Sequence, residues 1–209
     1  MAIPTVLKIG GSLLTQSDWN LRLRDWLQKQ PAGLYLTIVG GGEVVEAMRE
    51  LDRIHTLDQS AMHCRCIDLL DATFEVAAEL LERVSPNLRT VRSYASLCSI
   101  VTSVENSTPD RAEIVLVSVQ SFYVKSRCDP ALGALDLIKD LMPEIGWQTT
   151  SDTLAMFLAG VVQSNRCVLF KSCNVESLVT LDDAVSAGVV DAQVLKYSAR
   201  GIRCELVKL

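Results

Sequence analysis

The chain has 209 residues, 49% hydrophobic and 22% charged, with a net charge of −5. That length suits one large domain or two tightly fused lobes, and the composition is that of a globular rather than a disordered protein. The acidic balance, with no cluster of Lys or Arg, excludes nucleic acid as a partner, because phosphate-backbone affinity rests on clustered cations.

The opening segment is apolar but interrupted by Lys8, and no run approaches the roughly 18 apolar residues of a membrane span. It therefore reads as neither a signal peptide nor a membrane anchor. Seven cysteines, at 64, 66, 98, 128, 167, 173 and 204, form an odd and scattered set that suits reduced thiols in the cytoplasm. Cys64 and Cys66 have one residue between them and no second pair follows, so no metal site is expected.

In chain order, residues 5–9 form an apolar run that reads as a buried strand ending at Gly10-Gly11. Residues 18–28 carry Trp19, Leu21, Leu23, Trp26 and Leu27 at helical spacing, ahead of Pro31. Residues 34–39 are a second strand ending at Gly40-Gly41-Gly42, and a helix follows from about Glu43. A long helix is expected over 58–84, closed by Pro86. Residues 90–104 are less clear, with a possible strand at 100–104. Residues 114–119 form a β-branched strand, 131–141 a helix, 152–162 a helix and 166–170 a strand. Residues 181–187 form a short helix and 204–209 a final edge strand.

Strands thus alternate with helices, and they are continuous apolar runs. That pattern predicts an α/β fold with a mostly parallel sheet covered on both faces. No repeat or flexible linker divides the chain. The polar stretch 105–111 is the one candidate boundary, which would place an acceptor-binding lobe at about 1–110 and a nucleotide-binding lobe at about 111–209.

Two glycine turns after two consecutive strands form the central constellation. In an open parallel sheet, ligands sit outside the carboxyl ends of the strands. Glycine there lets backbone N–H groups approach phosphate oxygens, and a following helix adds the positive end of its dipole. Lys8, two residues before Gly10, can aim its ammonium at the same phosphates. Each piece alone is more often a plain turn or a solvated lysine. Neither turn matches G-x-x-x-x-G-K-[ST] or G-x-G-x-x-G.

Taken together, the residues resemble a family. Lys8-Ile9-Gly10-Gly11-Ser12 is similar to the opening K-[ILV]-G-G-S of the amino-acid kinases, which include acetylglutamate, carbamate, uridylate and isopentenyl phosphate kinases. Val39-Gly40-Gly41-Gly42 resembles their second glycine turn. The segment from Thr150 and Ser151 through Asp152 to Ala159 resembles their D-x-x-A-x-x-L-A helix start. The three motifs stand in family order and span nearly the whole chain.

The resemblance implies a three-layer αβα sandwich of the carbamate kinase type and transfer of the γ-phosphoryl group of ATP, with Mg2+, to an anionic oxygen. Such acceptors are already ionised, so positioning and charge neutralisation suffice without a general base. Lys8 is expected to stabilise the transferring group, with N–H groups of Gly10, Gly11, Gly40 and Gly41 on the acceptor and phosphates, beside Ser12 and Gly42. Asp152 is expected to cap its helix and orient a catalytic lysine, with Ser151 beside it at the nucleotide.

The C-terminal half departs from the larger members. Leu169-Phe170-Lys171-Ser172-Cys173-Asn174-Val175 stands where many carry L-T-D-V-x-G, and the G-M-x-x-K segment that supplies a second lysine is missing. Lys171 is the first candidate for that cation and Lys196 the second. These departures are similar to the small aminomethylfuran phosphate kinase group, associated with methanofuran synthesis and one-carbon metabolism. Residues 58–63 with Asp68 resemble that group's acceptor helix, where Asp68 would contact an amine and His63 a phosphate. The expected acceptor is then a small phosphomonoester; a carboxylate giving an acyl phosphate, or a silent nucleotide-binding protein of the same fold, are the alternatives. A homodimer is a further expectation.

Overall fold

The computed structural model describes residues 3–106, 109–123 and 141–209. Its elements are β1 (Thr5–Ile9), a 3-10 turn (Gly11–Thr15), α1 (Trp19–Leu27), β2 (Gly33–Val39), α2 (Glu43–His55), α3 (Gln59–Glu82), β3 (Arg89–Val91), α4 (Tyr94–Asn106) and β4 (Ala112–Val117). They continue with a 3-10 turn (Val119–Ser121), α5 (Ser151–Val161), β5 (Arg166–Lys171), α6 (Leu181–Ser186), α7 (Val194–Ser198) and β6 (Arg203–Lys208). The six strands form one sheet in the order β3-β4-β2-β1-β5-β6, with every pair parallel.

Two cores cover the two faces of this sheet. Alternate side chains of a strand point to opposite faces. Val6 of β1 therefore joins Leu36, Ile38, Cys167 and Leu169 against α5, while Leu7 and Ile9 join Val39, Val168 and Phe170 against α1 and Phe74 of α3. Lys8 has the parity of Val6 and so points toward α5. Parallel crossovers bring the carboxyl ends of β1, β2 and β5 together, with Ile9 level with both Val39 and Phe170. Because β2 and β5 leave β1 on opposite sides, this is a topological switch point, where open α/β sheets form a crevice.

The expected α/β architecture with a parallel sheet is present. Two local readings need correction. Residues 100–104, read as a possible strand, lie within α4, where Leu97, Ile100 and Val101 pack on the core at helical spacing. Their β-branched composition is overridden by tertiary packing. The strand expected over 114–119 occupies Ala112–Val117 instead, and its last two residues turn into a 3-10 segment. Strand β3 has no apolar run to announce it and exists through its pairing with β4. The helix expected over 131–141 lies outside the described residues apart from Leu141. Strand β6 is an edge, as expected, and carries Arg203, Glu205 and Lys208, charges that blunt an open edge.

Among the described residues, no helix is long and apolar enough to cross a membrane. Six of the cysteines, at 64, 66, 98, 167, 173 and 204, are free thiols.

Candidate functional site

The first glycine turn follows β1, and its conformation is dictated by the second. Gly11 and Gly42 are in backbone contact. A Cβ on Gly11 would overlap the Gly42 amide, and one on Gly42 would stand 2.6 Å from the Gly11 carbonyl carbon. Gly42 also has φ 54°, in the left-handed region that glycine enters without steric cost. The N–H of Gly10 donates to Phe170 O at 3.1 Å and that of Gly40 to Ile9 O at 2.9 Å. Those two donors extend the sheet and are not available to a ligand, which corrects the expectation for them. Gly40 instead makes room: a Cβ there would come 2.7 Å from Ser151 Oγ and 3.2 Å from Lys8 Cε. The amides of Gly11, Ser12, Gly41 and Gly42 meet no protein acceptor among the described residues.

A cavity of about 410 Å³ opens over these turns, lined at this end by Lys8, Gly11, Ser12, Gly42 and Lys171. Ser12 and Ser172 share a hydrogen bond of 2.8 Å between their hydroxyls, joining the first turn to the end of β5.

Asp152 sits in the second position of α5, and both of its oxygens are committed. Lys8 Nζ lies 2.8 Å from Oδ1 and Lys171 Nζ 2.6 Å from Oδ2. Lys171 also donates to Val189 O at 2.6 Å. Asp152 is 4% exposed. Burial pushes its carboxyl up, but the charges of Lys8 and Lys171 outweigh that and hold it below the usual carboxylate range. Burial, reinforced by Lys8, pulls the Lys171 ammonium below the ordinary lysine value, with Asp152 opposing. Two cations share one anion, so the pocket floor is electropositive and would gain from an incoming phosphate.

Asp152 does not cap α5. Thr150 does, its hydroxyl accepting from the Asp152 N–H at 3.2 Å and donating to Asp191 Oδ2 at 2.6 Å. Asp191, which the sequence reading left without a role, also accepts from both the N–H and the hydroxyl of Thr153. Asp152 is thereby left free to face the lysines, and it pairs with two of them, Lys8 and Lys171. Ser151 lines the cavity beside Gly40.

Of three other expected site residues, His63 lies in the cavity wall and Asp68 and Lys196 lie outside the cavity. The ring of His63 is committed on both sides, with Nε2 2.8 Å from Tyr123 Oη and Nδ1 accepting from the Gly146 N–H at 3.4 Å. His63 borders the cavity but braces its wall rather than offering a donor to phosphate. Asp68 is exposed on α3, accepts from Gln120 Nε2 at 3.2 Å, and does not line the cavity. Lys196 is exposed on α7, points at Met142 O, and is likewise outside it. Lys171, not Lys196, is the second cation of the cluster.

At its other end the cavity is walled by α2, α3 and the loop before α5. Arg49 and Trp147 face it, with the guanidinium 4.7 Å from the indole centroid. Asp52 holds Trp147 through its indole N–H at 2.6 Å, and also accepts from Gln59 Nε2 and Leu57 N. Sequence reasoning missed this group. Its one signal was the spacing of Val45 and Arg49, four residues apart on one face of α2.

No group of three or more His, Cys, Asp or Glu capable of holding a metal is found among the described residues. A Mg2+ ion delivered on a nucleotide requires none, since it is carried largely by phosphate oxygens and water.

No protein-family model matches this sequence, and no curated protein matches it. Solved structures do. The chain is similar to UMP kinase from Ureaplasma parvum at 14% identity and TM-score 0.61, covering 100% of this chain and 91% of that one. It is similar to uridylate kinase from Archaeoglobus fulgidus at 14% identity and TM-score 0.55, covering 99% and 91%. With aspartate kinase from Synechocystis it shares 12% identity and TM-score 0.57, covering 99% of this chain and 38% of that one. The chain has the fold of the amino-acid kinases.

Proposed function

We propose that this chain is an ATP-dependent phosphotransferase that moves the γ-phosphoryl group of MgATP to a small anionic acceptor, a phosphomonoester such as an aminomethylfuran phosphate. The observation that carries the reading is the Lys8–Asp152–Lys171 cluster facing the free amides of two glycine turns. Phosphoryl transfer needs positioning and charge neutralisation more than covalent chemistry by the protein. Lys8 and Lys171 would neutralise charge on the transferring group, and Asp152 would hold both ammonium groups at a set spacing. The amides of Gly11, Ser12, Gly41 and Gly42 would orient phosphate oxygens. Mg2+, bound with the nucleotide, would add charge neutralisation there. In this reading residues 1–110 handle the acceptor and 111–209 the nucleotide. Glu43, which lines the cavity, replaces Asp68 as the carboxylate placed to meet an amine on the acceptor.

The test is ADP release from MgATP across a panel of small phosphomonoesters and carboxylates, with hydroxylamine present in a parallel set. Transfer to a phosphomonoester without hydroxamate is the expected result. Hydroxamate formation would replace this reading with that of a carboxylate kinase. ATP binding with no transfer to any acceptor would make the chain a silent member of the fold.

A further inference from the structure

One short stretch of chain reaches three parts of the site without placing a charge in it. Helix α6 gives way to Gly188, whose φ of 67° turns the chain back in a conformation that glycine enters without steric cost. Val190 and Val194 then sink into the core, 4% and 0% exposed, which pins the backbone between them beside α5. From this pinned segment the Val189 carbonyl accepts from Lys171 Nζ at 2.6 Å. Asp191 accepts from the Thr150 hydroxyl at 2.6 Å, from the Thr153 N–H at 3.3 Å and from the Thr153 hydroxyl. It also closes its own loop through the Gln193 N–H at 3.1 Å. The Gln193 side chain extends to the loop before α5, donating to Thr149 Oγ1 at 2.7 Å and accepting from the Glu144 N–H at 3.1 Å.

We infer that residues 188–193 form a strap that positions the Lys8–Asp152–Lys171 cluster, with Asp191 as its positioning residue. Asp191 does not line the cavity, and its two oxygens are spent on four donors, so it does not meet a ligand itself. It acts through Thr150 and Thr153, which flank Asp152 in the first turn of α5. Where that turn sits decides where the Asp152 carboxylate points, and so where both ammonium groups are held. Its negative charge at the N-terminus of α5 also favours the helix there. The same strap fixes Lys171 directly, because the Val189 carbonyl lies two residues before Asp191. A buried ammonium needs each of its acceptors, since a missing partner leaves desolvation uncompensated. The stretch leading to Lys196 thus supplies a carboxylate and a carbonyl that hold the site's cations, and no cation of its own. The effect on turnover rests on the phosphotransferase reading; the hold on Lys171 does not.

The experiment uses the full chain as Asp191→Ala, Asp191→Asn and Thr153→Val, with the urea midpoint of each as the check on folding. Two readouts are taken. The first is brief labelling of amines with acetic anhydride, read by mass spectrometry at Lys171 relative to Lys29, an exposed lysine after α1. In the parent, Lys171 should label slowly, since its side chain is 11% exposed. Asp191→Ala should raise the Lys171 to Lys29 ratio several-fold. Asp191→Asn, which keeps one acceptor oxygen, should fall between it and the parent. The second readout is ADP release from MgATP with the best acceptor of the panel above. Asp191→Ala should lower kcat about 10- to 100-fold while KM for MgATP stays within about threefold. Thr153→Val removes one donor and keeps the shape, so it should show the same changes to a smaller degree and decides the matter if Asp191→Ala does not fold. Adding Thr153→Val to Asp191→Ala should cost little more than Asp191→Ala alone, because both cut one route. A lower urea midpoint with the labelling ratio and kcat of the parent would make Asp191 a stabilising residue only and overturn the strap. Raised Lys171 labelling with no ADP formed from any acceptor would sink the phosphotransferase reading and leave the strap standing.

Discussion

Lys8 and Lys171 reach one carboxylate from two neighbouring strands, each pairing with a different oxygen of Asp152. Lys8 lies 7% exposed against Oδ1, while Lys171 is pulled below the ordinary lysine value by burial and by Lys8. Replacing Lys8 with Met should lower turnover about 10²–10³-fold and change ATP binding little, as for loss of a charge contact made mainly in the transition state. Weaker ATP binding with turnover unchanged, measured by nucleotide titration and steady-state kinetics, would assign Lys8 to binding alone. Activity should also fall on an alkaline limb that begins below the ordinary lysine range, as Lys171 loses its proton. Lys171→Arg, whose cation does not titrate there, should move that limb upward.

Asp152 carries the opposite sign. Its folded-state carboxyl lies below the unfolded value, so its contribution is fully present above about pH 4 and is lost as pH falls through the folded value. The lowered Lys171 works against stability below its folded value, and this cost is relieved as pH rises toward about 10.4. Asp152→Asn leaves two buried ammonium groups facing each other without an anion. It should destabilise the fold by about 3–5 kcal/mol in urea unfolding, and added phosphate should recover part of the loss. A variant as stable as the parent would show that the lysines swing out to solvent instead.

At the scale of elements, the site depends on two local devices. One is the contact between Gly11 and Gly42, which docks the turn after β1 onto the turn before α2. Gly42→Ala would meet both a positive φ and the Gly11 carbonyl, so it should separate the turns and weaken anion binding more than overall stability. Phosphate titration of the variant beside its urea midpoint checks this, and a loss confined to stability would count against it. The other device is the start of α5. Thr150 caps it and Asp191 anchors both Thr150 and Thr153 from 38 or more residues away. Thr150→Ala should cost about 1–2 kcal/mol, read as a lower urea midpoint at unchanged slope.

For the whole molecule, the parallel order places β1 at the centre, with β2 and β5 beside it and β3 and β6 at the edges. Amides of β1 should exchange slowest and those of β6 fastest among the strands. A ligand that binds the crevice between β1, β2 and β5 should stabilise the whole fold. MgATP at about a hundredfold its Kd should add about 2.7 kcal/mol, a rise in melting temperature of about 5–11 °C for a chain of this size. No rise at any nucleotide concentration would mean that the nucleotide does not bind here.

Taken by itself, the sequence determined the elements that rest on local physics. Apolar runs marked β1, β2 and β5, the periodic stretch marked α3, and the glycines marked the two turns. Apolar runs, backbone φ and helical spacing are set within a few residues, so these were legible. Arg89–Val91 was not, because a three-residue edge strand is made by its neighbour. The tertiary structure alone decided which side chains meet. On α3, His63, Ile67 and Leu70 fall on the cavity side, whereas Asp68 is one residue on from Ile67 and so turned by about 100° away from it. Lys171 became the second cation, and Lys196 did not, because only the β5 terminus lies beside Lys8 in the sheet. Spacing along a chain names candidates for a site. Only the crossing of parallel strands brings Lys8, Asp152 and Lys171 within one ion pair of each other.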